Sequence, residues 1–127
     1  MAEPRWLTEE MVQAIHDDQI ATHGGAYGLR DAGLLASAMA RARNRYVYEG
    51  ADADMHQLAA AYGYGIVKNH AFVDGNKRTA FLVMYVFLKI HGFELKAPEP
   101  EVVLLMQALA SDDVSEVELV DWLKQYS

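Results

Sequence analysis

The stretch His70-Ala71-Phe72-Val73-Asp74-Gly75-Asn76-Lys77-Arg78-Thr79 places a base, a carboxylate, a glycine, an amide and two cations within nine positions, His70 to Arg78. It runs directly into Ala80-Phe81-Leu82-Val83-Met84-Tyr85-Val86-Phe87-Leu88-Lys89-Ile90, an apolar run that predicts a buried helix. The first turn of a helix offers free N–H groups and the positive end of the helix dipole, so phosphates bind there. The pattern therefore predicts an anion-binding catalytic loop at the start of a buried helix.

Each polar residue of this loop matches a requirement of phosphoryl or nucleotidyl transfer. His70 can act as the general base that removes a proton from an attacking hydroxyl, and Asp74 offers a hard oxygen ligand for Mg²⁺. Gly75 lets the backbone approach a phosphate closely, and the pair Lys77 and Arg78 supplies charge and donors for its oxygens. The loop therefore predicts a site for phosphoryl or nucleotidyl transfer.

Length and composition predict a single domain over residues 1–127, because this length supports one sizeable core but not two. No apolar run reaches the roughly 18–20 residues of a membrane span, and the segment Met1–Trp6 lacks the features of a secretory signal. The chain has no cysteine, so it has no disulfide framework. These features suggest a cytoplasmic protein without membrane attachment. The net charge of −7 argues against nucleic acid as the main ligand and suits a basic partner chain.

The remaining pattern reads as helix throughout, and helix-start signals divide it into elements. Residues with a side-chain oxygen that can cap a helix stand at Thr8, Asp31, Asp54 and Ser115. Gln57 and Glu118 complete capping boxes with the last two, and Pro100 suits the start of a further helix. We therefore predict an all-α, compact bundle of about six helices. For Tyr46-Val47-Tyr48 two alternatives stay open, a solvated helix face or a short extended flap.

Two polar segments leave alternatives open. The glycine-rich segment Gly24–Arg30 could cradle a ligand, but we favour a flexible connection between helices. The tract His16-Asp17-Asp18 with His23 could suggest a metal site. Because these residues fall on different faces of a helix, we favour ordinary polar surface.

The stretch His70–Arg78 resembles the motif of the Fic/Doc superfamily, His-Pro-Phe-x-Asp/Glu-Gly-Asn-Gly-Arg-x-x-Arg. Two departures from it point to the death-on-curing (Doc) branch, because Lys77 replaces the second glycine and Phe81 stands in place of the final arginine. Ala71 in place of proline is a milder change. The likeness extends to Gly24-Gly25, Gly28, Leu29-Arg30-Asp31, Gly33-Leu34-Leu35 and Lys68-Asn69, and so covers most of the chain.

This resemblance implies a Fic/Doc-like helical fold and the toxin of a type II toxin–antitoxin pair. Fic enzymes usually transfer AMP from ATP to a protein hydroxyl, whereas Doc phosphorylates a threonine of elongation factor Tu and halts translation. The bulk of Lys77 and the loss of the last arginine both change which phosphate lies in line with the hydroxyl, so we favour the kinase over the AMP transferase. A third hypothesis is a non-enzymatic binding module, against which the intact motif argues.

The resemblance also implies a role for each motif residue. His70 is the general base, Asp74 the Mg²⁺ ligand, and Arg78 the residue that neutralises charge on the transferring phosphoryl group. The remaining predicted phosphate-binding residues are Gly75, Asn76 and Lys77, with Lys68 as an assistant. ATP and Mg²⁺ are the implied substrate and cofactor.

Some Fic proteins inhibit themselves with a helix patterned Ser/Thr-x-x-x-Glu-Gly/Asn. The Glu-Gly pair of this chain, Glu49-Gly50, has Arg45 at the Ser/Thr position. We therefore expect inhibition in trans by a cognate antitoxin whose C-terminal segment folds onto this protein.

Overall fold

The computed structural model describes residues 3–127, without the side chain of residue 51. Within this range the chain forms six α-helices and one short 3₁₀ turn, Gly50–Asp52. The helices are α1 (Glu9–His23), α2 (Ala32–Glu49), α3 (Met55–Asn69), α4 (Asn76–Ile90), α5 (Glu99–Ala110) and α6 (Glu116–Gln125). This confirms the predicted all-α bundle of about six helices.

The predicted capping residues begin four of these helices. Backbone N–H groups three residues on donate to the side chains of Thr8, Asp31, Asp54 and Ser115, at 2.8–3.1 Å. Both predicted capping boxes, Asp54 with Gln57 and Ser115 with Glu118, are present. The helix starts are therefore set by local side-chain chemistry, which is why the sequence predicts them well.

Helix α3 lies at the centre of the bundle and packs against α2, α4, α5 and α6. Ten of its residues are buried. Its glycines permit close approach on two sides, because a Cβ at Gly63 would overlap the side chain of Met84 in α4. A Cβ at Gly65 would lie 2.7 Å from Cδ of Arg41 in α2. The two helices that carry the loop His70–Arg78, α3 and α4, are thus held tightly together.

The alternative of an extended flap at Tyr46–Tyr48 is wrong, because α2 continues without interruption to Glu49. Tyr46 packs edge-on against Trp6, with the ring centroids 5.5 Å apart. One turn of the helix is also tied to α6, since Arg45 Nη2 donates to a carboxylate oxygen of Glu116 at 3.1 Å. These tertiary contacts hold the segment as helix.

No helix among residues 3–127 combines the length and the apolar character needed to cross a membrane.

Candidate active site

His70 ends α3 in the left-handed conformation, with φ +50° and ψ +52°. This conformation is uncommon for a residue other than glycine, so the surrounding structure must hold it. Arg30 does so from the α1–α2 loop, because its Nε donates to the carbonyl oxygen of His70 at 2.7 Å and its Nη2 to that of Asn69 at 2.9 Å. The exposed imidazole of His70 faces a large cleft.

The segment Gly24–Arg30 is fastened to the loop after His70 rather than being a free connection. The N–H of Arg30 donates to the carbonyl of Ala71 at 2.8 Å, and the N–H of Val73 donates to the carbonyl of Gly28 at 3.0 Å. Leu29 and Phe72 form an isolated antiparallel bridge between the two segments. Our preferred interpretation, a flexible linker, is therefore wrong, since the segment is a strap across the catalytic loop.

Asn76 closes the loop with its side chain. Its Nδ2 donates to the carbonyl of Phe72, and its Oδ1 accepts from the N–H of the same residue, both at 3.0 Å. The residue is 6% exposed. Its amide group therefore shapes the loop, and its backbone N–H lies in the first turn of α4.

The carboxylate of Asp74 is held by two backbone N–H groups. Ala26 donates to Oδ2 at 3.2 Å and Gly75 donates to Oδ1 at 2.8 Å. These bonds, first that of Ala26 and then that of Gly75, hold the pKa of Asp74 below its usual value, and the charge of Arg78 acts in the same direction. Asp74 is thus an anion at neutral pH with lone pairs left for a cation.

The N-terminus of α4 lacks the side-chain cap found on most of the other helices. Its N-cap is Gly75, with φ +74°, and no side chain accepts a hydrogen bond from the first turn. The N–H groups of residues 76–78 have no acceptor within the helix. Lys77 and Arg78 project from the same turn, and neither forms a salt bridge with another described residue. This turn is therefore a positive position suited to a phosphate.

These groups meet in one cleft of about 900 Å³, a volume within the range of small-molecule sites. One end of the cleft is polar and is lined by His70, Asp74, Gly75, Asn76, Lys77 and Arg78. The rest is formed largely by apolar residues of α4, of α5 and of the segment between them, including Phe81, Leu82, Leu95, Val102 and Met106. The structure thus brings together six of the seven predicted site residues.

Lys68, the seventh, does not line this cleft. Its Nζ donates to the carbonyl of Leu109 at 2.6 Å and pairs with the carboxylate of Asp112. It also lies 5.5 Å from the ring centroid of Tyr64. The predicted phosphate-binding role of Lys68 finds no support in this geometry, because its ammonium group binds the C-terminal end of α5.

His16 is a site residue that the sequence pattern missed. It is 1% exposed, its ring stacks on Phe72, and its Nε2 lies 2.7 Å from the carbonyl oxygen of Asp74. The preferred interpretation of His16 as polar surface is therefore wrong. A signal was available, because Val12, His16 and Ile20 follow the four-residue spacing of a buried helix face.

The alternative of a metal site at His16, Asp17, Asp18 and His23 also lacks support. Among residues 3–127, no group of three or more His, Cys, Asp or Glu side chains is arranged to hold a metal ion. A single carboxylate such as Asp74 fits a different kind of site, in which Mg²⁺ takes one or two protein ligands and completes its shell with phosphates and waters.

The fold and the loop together define an all-α protein that presents a histidine-to-arginine loop at a helix N-terminus. A family model described as "Fic/DOC family" matches residues 6–88. The chain is 30% identical to "Protein kinase doc" of Escherichia phage P1 over 121 residues, 95% of this chain and 94% of that protein. It is 42% identical to "Toxin Doc" of Mycolicibacterium smegmatis over 74 residues, 58% of this chain and 57% of that protein.

The chain therefore belongs to the Fic/DOC family, and its similarity to the two Doc proteins confirms the Doc branch that the sequence motif indicated.

Proposed function

We propose that this protein is the toxin of a type II toxin–antitoxin system and acts as an ATP-dependent protein kinase. The observation that carries the proposal is the meeting of His70 with the uncapped N-terminus of α4 in one cleft. The names of the two relatives, a protein kinase and a toxin, point in the same direction. The expected target is a threonine of elongation factor Tu, and such a toxin acts in the cytoplasm.

The phosphates of ATP bind at the first turn of α4 in this proposal. The free N–H groups of residues 76–78 and the side chains of Lys77 and Arg78 donate to the phosphate oxygens. Arg78 offsets the negative charge that spreads over the transferring group. The apolar part of the cleft then remains for the nucleoside or for the target segment.

Asp74 fits the role of Mg²⁺ ligand, because it is exposed, anionic and fixed by the N–H groups of Ala26 and Gly75. When bound, the ion neutralises phosphate charge and orients the phosphate chain. The contribution of the protein is to hold the carboxylate at the edge of the anion site.

His70 takes the proton from the attacking threonine hydroxyl. The hydroxyl oxygen forms a bond to the γ-phosphorus, the bond between that phosphorus and the β,γ-bridging oxygen breaks, and ADP leaves with the electron pair. His70 then releases its proton to solvent. The fixed backbone at His70, held by Arg30, keeps the imidazole at the mouth of the cleft.

AMP transfer is the second candidate, because it is the usual activity of the related Fic enzymes. The residue at the position of the final arginine of the Fic motif argues against AMP transfer. Phe81 occupies that position and packs edge-on against Trp122 of α6, with ring centroids 6.4 Å apart. At this position an aromatic contact thus stands in place of an arginine that could bind phosphate. A non-enzymatic binding module is the third candidate, and the intact loop geometry argues against it.

An antitoxin that inhibits in trans is the proposed partner. The cleft has an apolar wall beyond its polar end, and the chain carries a net charge of −7. A basic, amphipathic C-terminal segment of the antitoxin would suit both features.

The test is intact-protein mass spectrometry of elongation factor Tu after incubation with this protein, ATP and Mg²⁺. We expect a gain of about 80 Da that is absent with the His70→Ala variant, since phosphate rather than AMP is transferred. A gain of about 330 Da would identify AMP transfer instead. No gain with any candidate target, from a folded protein, would support the binding module.

A further inference from the structure

We infer that His16 is a positioning residue for the carboxylate of Asp74 and acts through the peptide unit that joins Asp74 to Gly75. The inference deepens the proposed function, on which it rests, because it assigns a support to the proposed Mg²⁺ ligand.

One side of this peptide unit is held from α1. The Nε2 of His16 lies 2.7 Å from the carbonyl oxygen of Asp74. Since a carbonyl oxygen only accepts, Nε2 carries the hydrogen and donates it. The imidazole is 1% exposed and stacks on Phe72, with ring centroids 4.0 Å apart and ring planes 9° apart. The donor is therefore fixed in direction by packing.

The other side of the same peptide unit holds the carboxylate. The N–H of Gly75 donates to Oδ1 of Asp74 at 2.8 Å. The carbonyl and the N–H of one peptide unit lie in a single rigid plane, so fixing one direction fixes the other. Rotation of this plane would break both hydrogen bonds at once, the one from His16 to the carbonyl and the one from the N–H of Gly75 to Oδ1 of Asp74.

The next turn of α1 supports the same position. An added Cβ at Gly75 would lie 3.1 Å from Cδ1 of Ile20 and 3.7 Å from the ring of His16. The two side chains thus lie against the turn. Simple packing would be served equally well by an apolar residue, whereas a buried imidazole is costly unless it is hydrogen-bonded.

Two substitutions of His16 separate the contribution of its hydrogen bond from that of its aromatic ring. His16→Phe keeps an aromatic ring against Phe72 and removes the donor, while His16→Gln removes the ring and keeps an N–H donor. The matched control is His91→Phe. His91 also bonds a carbonyl, with its Nδ1 2.7 Å from the oxygen of Phe87, and packs on an aromatic ring at 4.4 Å, but it lies at the far end of α4.

The first readout needs no ligand and no activity. Amide hydrogen exchange of Gly75, followed by nuclear magnetic resonance, should be about tenfold faster in His16→Phe than in the parent, because local opening becomes easier. It should stay at the parental rate in His91→Phe. An unchanged Gly75 rate in His16→Phe, or an equal increase in His91→Phe, would overturn the inference. If His16→Phe does not fold, His16→Gln decides, since parental protection of Gly75 supports the inference and lost protection overturns it.

The second readout is the Mg²⁺ dependence of phosphate transfer. His16→Phe should raise the Mg²⁺ concentration for half-maximal rate about tenfold, because the carboxylate is less well oriented. His91→Phe should leave that concentration unchanged. If the parent transfers no phosphate, the proposed function fails while Gly75 exchange still decides the role of His16. If the parent is active and His16→Phe keeps the parental Mg²⁺ dependence, only the inference fails.

Discussion

The Oδ2 atom of Asp74 accepts a hydrogen bond at 3.2 Å from the backbone N–H of Ala26, a residue 48 positions earlier in the chain. The bond joins the strap between α1 and α2 to the loop that begins α4. The geometry of the candidate site therefore depends on the close approach of two loops, and this approach leaves no room for a side chain on the residue before Ala26.

Gly25→Ala should impair transfer far more than Gly24→Ala. An added Cβ at Gly25 would lie 2.6 Å from Oδ2 of Asp74, whereas one at Gly24 would meet nothing within 4 Å. Both glycines have positive φ, so both substitutions should cost about 1–2 kcal/mol of stability. Only Gly25→Ala should also lower the transfer rate, by about 10–100-fold, because it displaces the carboxylate. Rates measured beside thermal unfolding test this, and equal rates would contradict it.

Asp74 should stabilise the folded protein in a pH-dependent way. Its folded pKa lies below the ordinary value of 3.8, chiefly because of the N–H of Ala26. The stabilisation is therefore fully present above the ordinary pKa and is lost as the pH falls through the folded pKa. Urea unfolding of the parent and of Asp74→Asn should show the larger difference at about pH 6 and a smaller one below the ordinary pKa. A difference that grows on acidification would show that the pKa shift has the opposite sign.

Arg78→Ala should lower transfer about 100-fold or more, since the proposed mechanism assigns to Arg78 the offset of charge on the transferring group. Lys68→Ala provides a control that removes a basic residue outside the motif His70–Arg78. The ammonium group of Lys68 bonds Leu109 and Asp112 and does not line the cleft. Removal of this side chain should therefore change the transfer rate by less than about threefold and should slightly lower the free energy of unfolding. Steady-state transfer rates of the two variants at saturating ATP test this difference. A large loss of transfer rate in Lys68→Ala would show that Lys68 contributes to the active site.

Gly63→Ala should destabilise the protein by about 1–3 kcal/mol, because its Cβ would overlap the buried side chain of Met84. In an exposed helix the same substitution stabilises by up to about 1 kcal/mol, so the sign of the change tests the α3–α4 approach. Gly33→Ala, in the first turn of α2, meets only the Asp31 side chain at 3.2 Å and serves as the control. Denaturant unfolding gives both values, and a stabilised Gly63→Ala would mean that the two helices lie further apart.

The helix starts could be predicted from sequence because their causes are local. Thr8 and Asp54 bond to N–H groups three residues away, and so both partners lie within one short window of sequence. The extent of α2 could not be predicted in the same way. The segment at Tyr46 packs on Trp6, 40 residues earlier, and Arg45 bonds Glu116, 71 residues later.

In the candidate site, too, the residues that are close in sequence could be predicted and the contacts between distant residues could not. The motif residues from His70 to Arg78 are close in sequence, and all those predicted within it line the cleft. The supports of the loop come from α1 and from the strap, and their partners are 40 or more residues distant. The contacts of Lys68 could not be predicted for a related reason, since its partner Asp112 lies 44 residues away, just after the C-terminal end of α5.

Label transfer from ATP distinguishes transfer of the γ-phosphoryl group from transfer of AMP. Elongation factor Tu would be incubated with this protein, Mg²⁺ and ATP labelled with radioactive phosphorus at either the γ or the α position, with His70→Ala in parallel. We predict label on the target from γ-labelled ATP only, and none with His70→Ala, because in the proposed mechanism His70 activates the hydroxyl and the γ-phosphoryl group is transferred. Label from α-labelled ATP, or γ-label transferred equally by His70→Ala, would contradict this prediction.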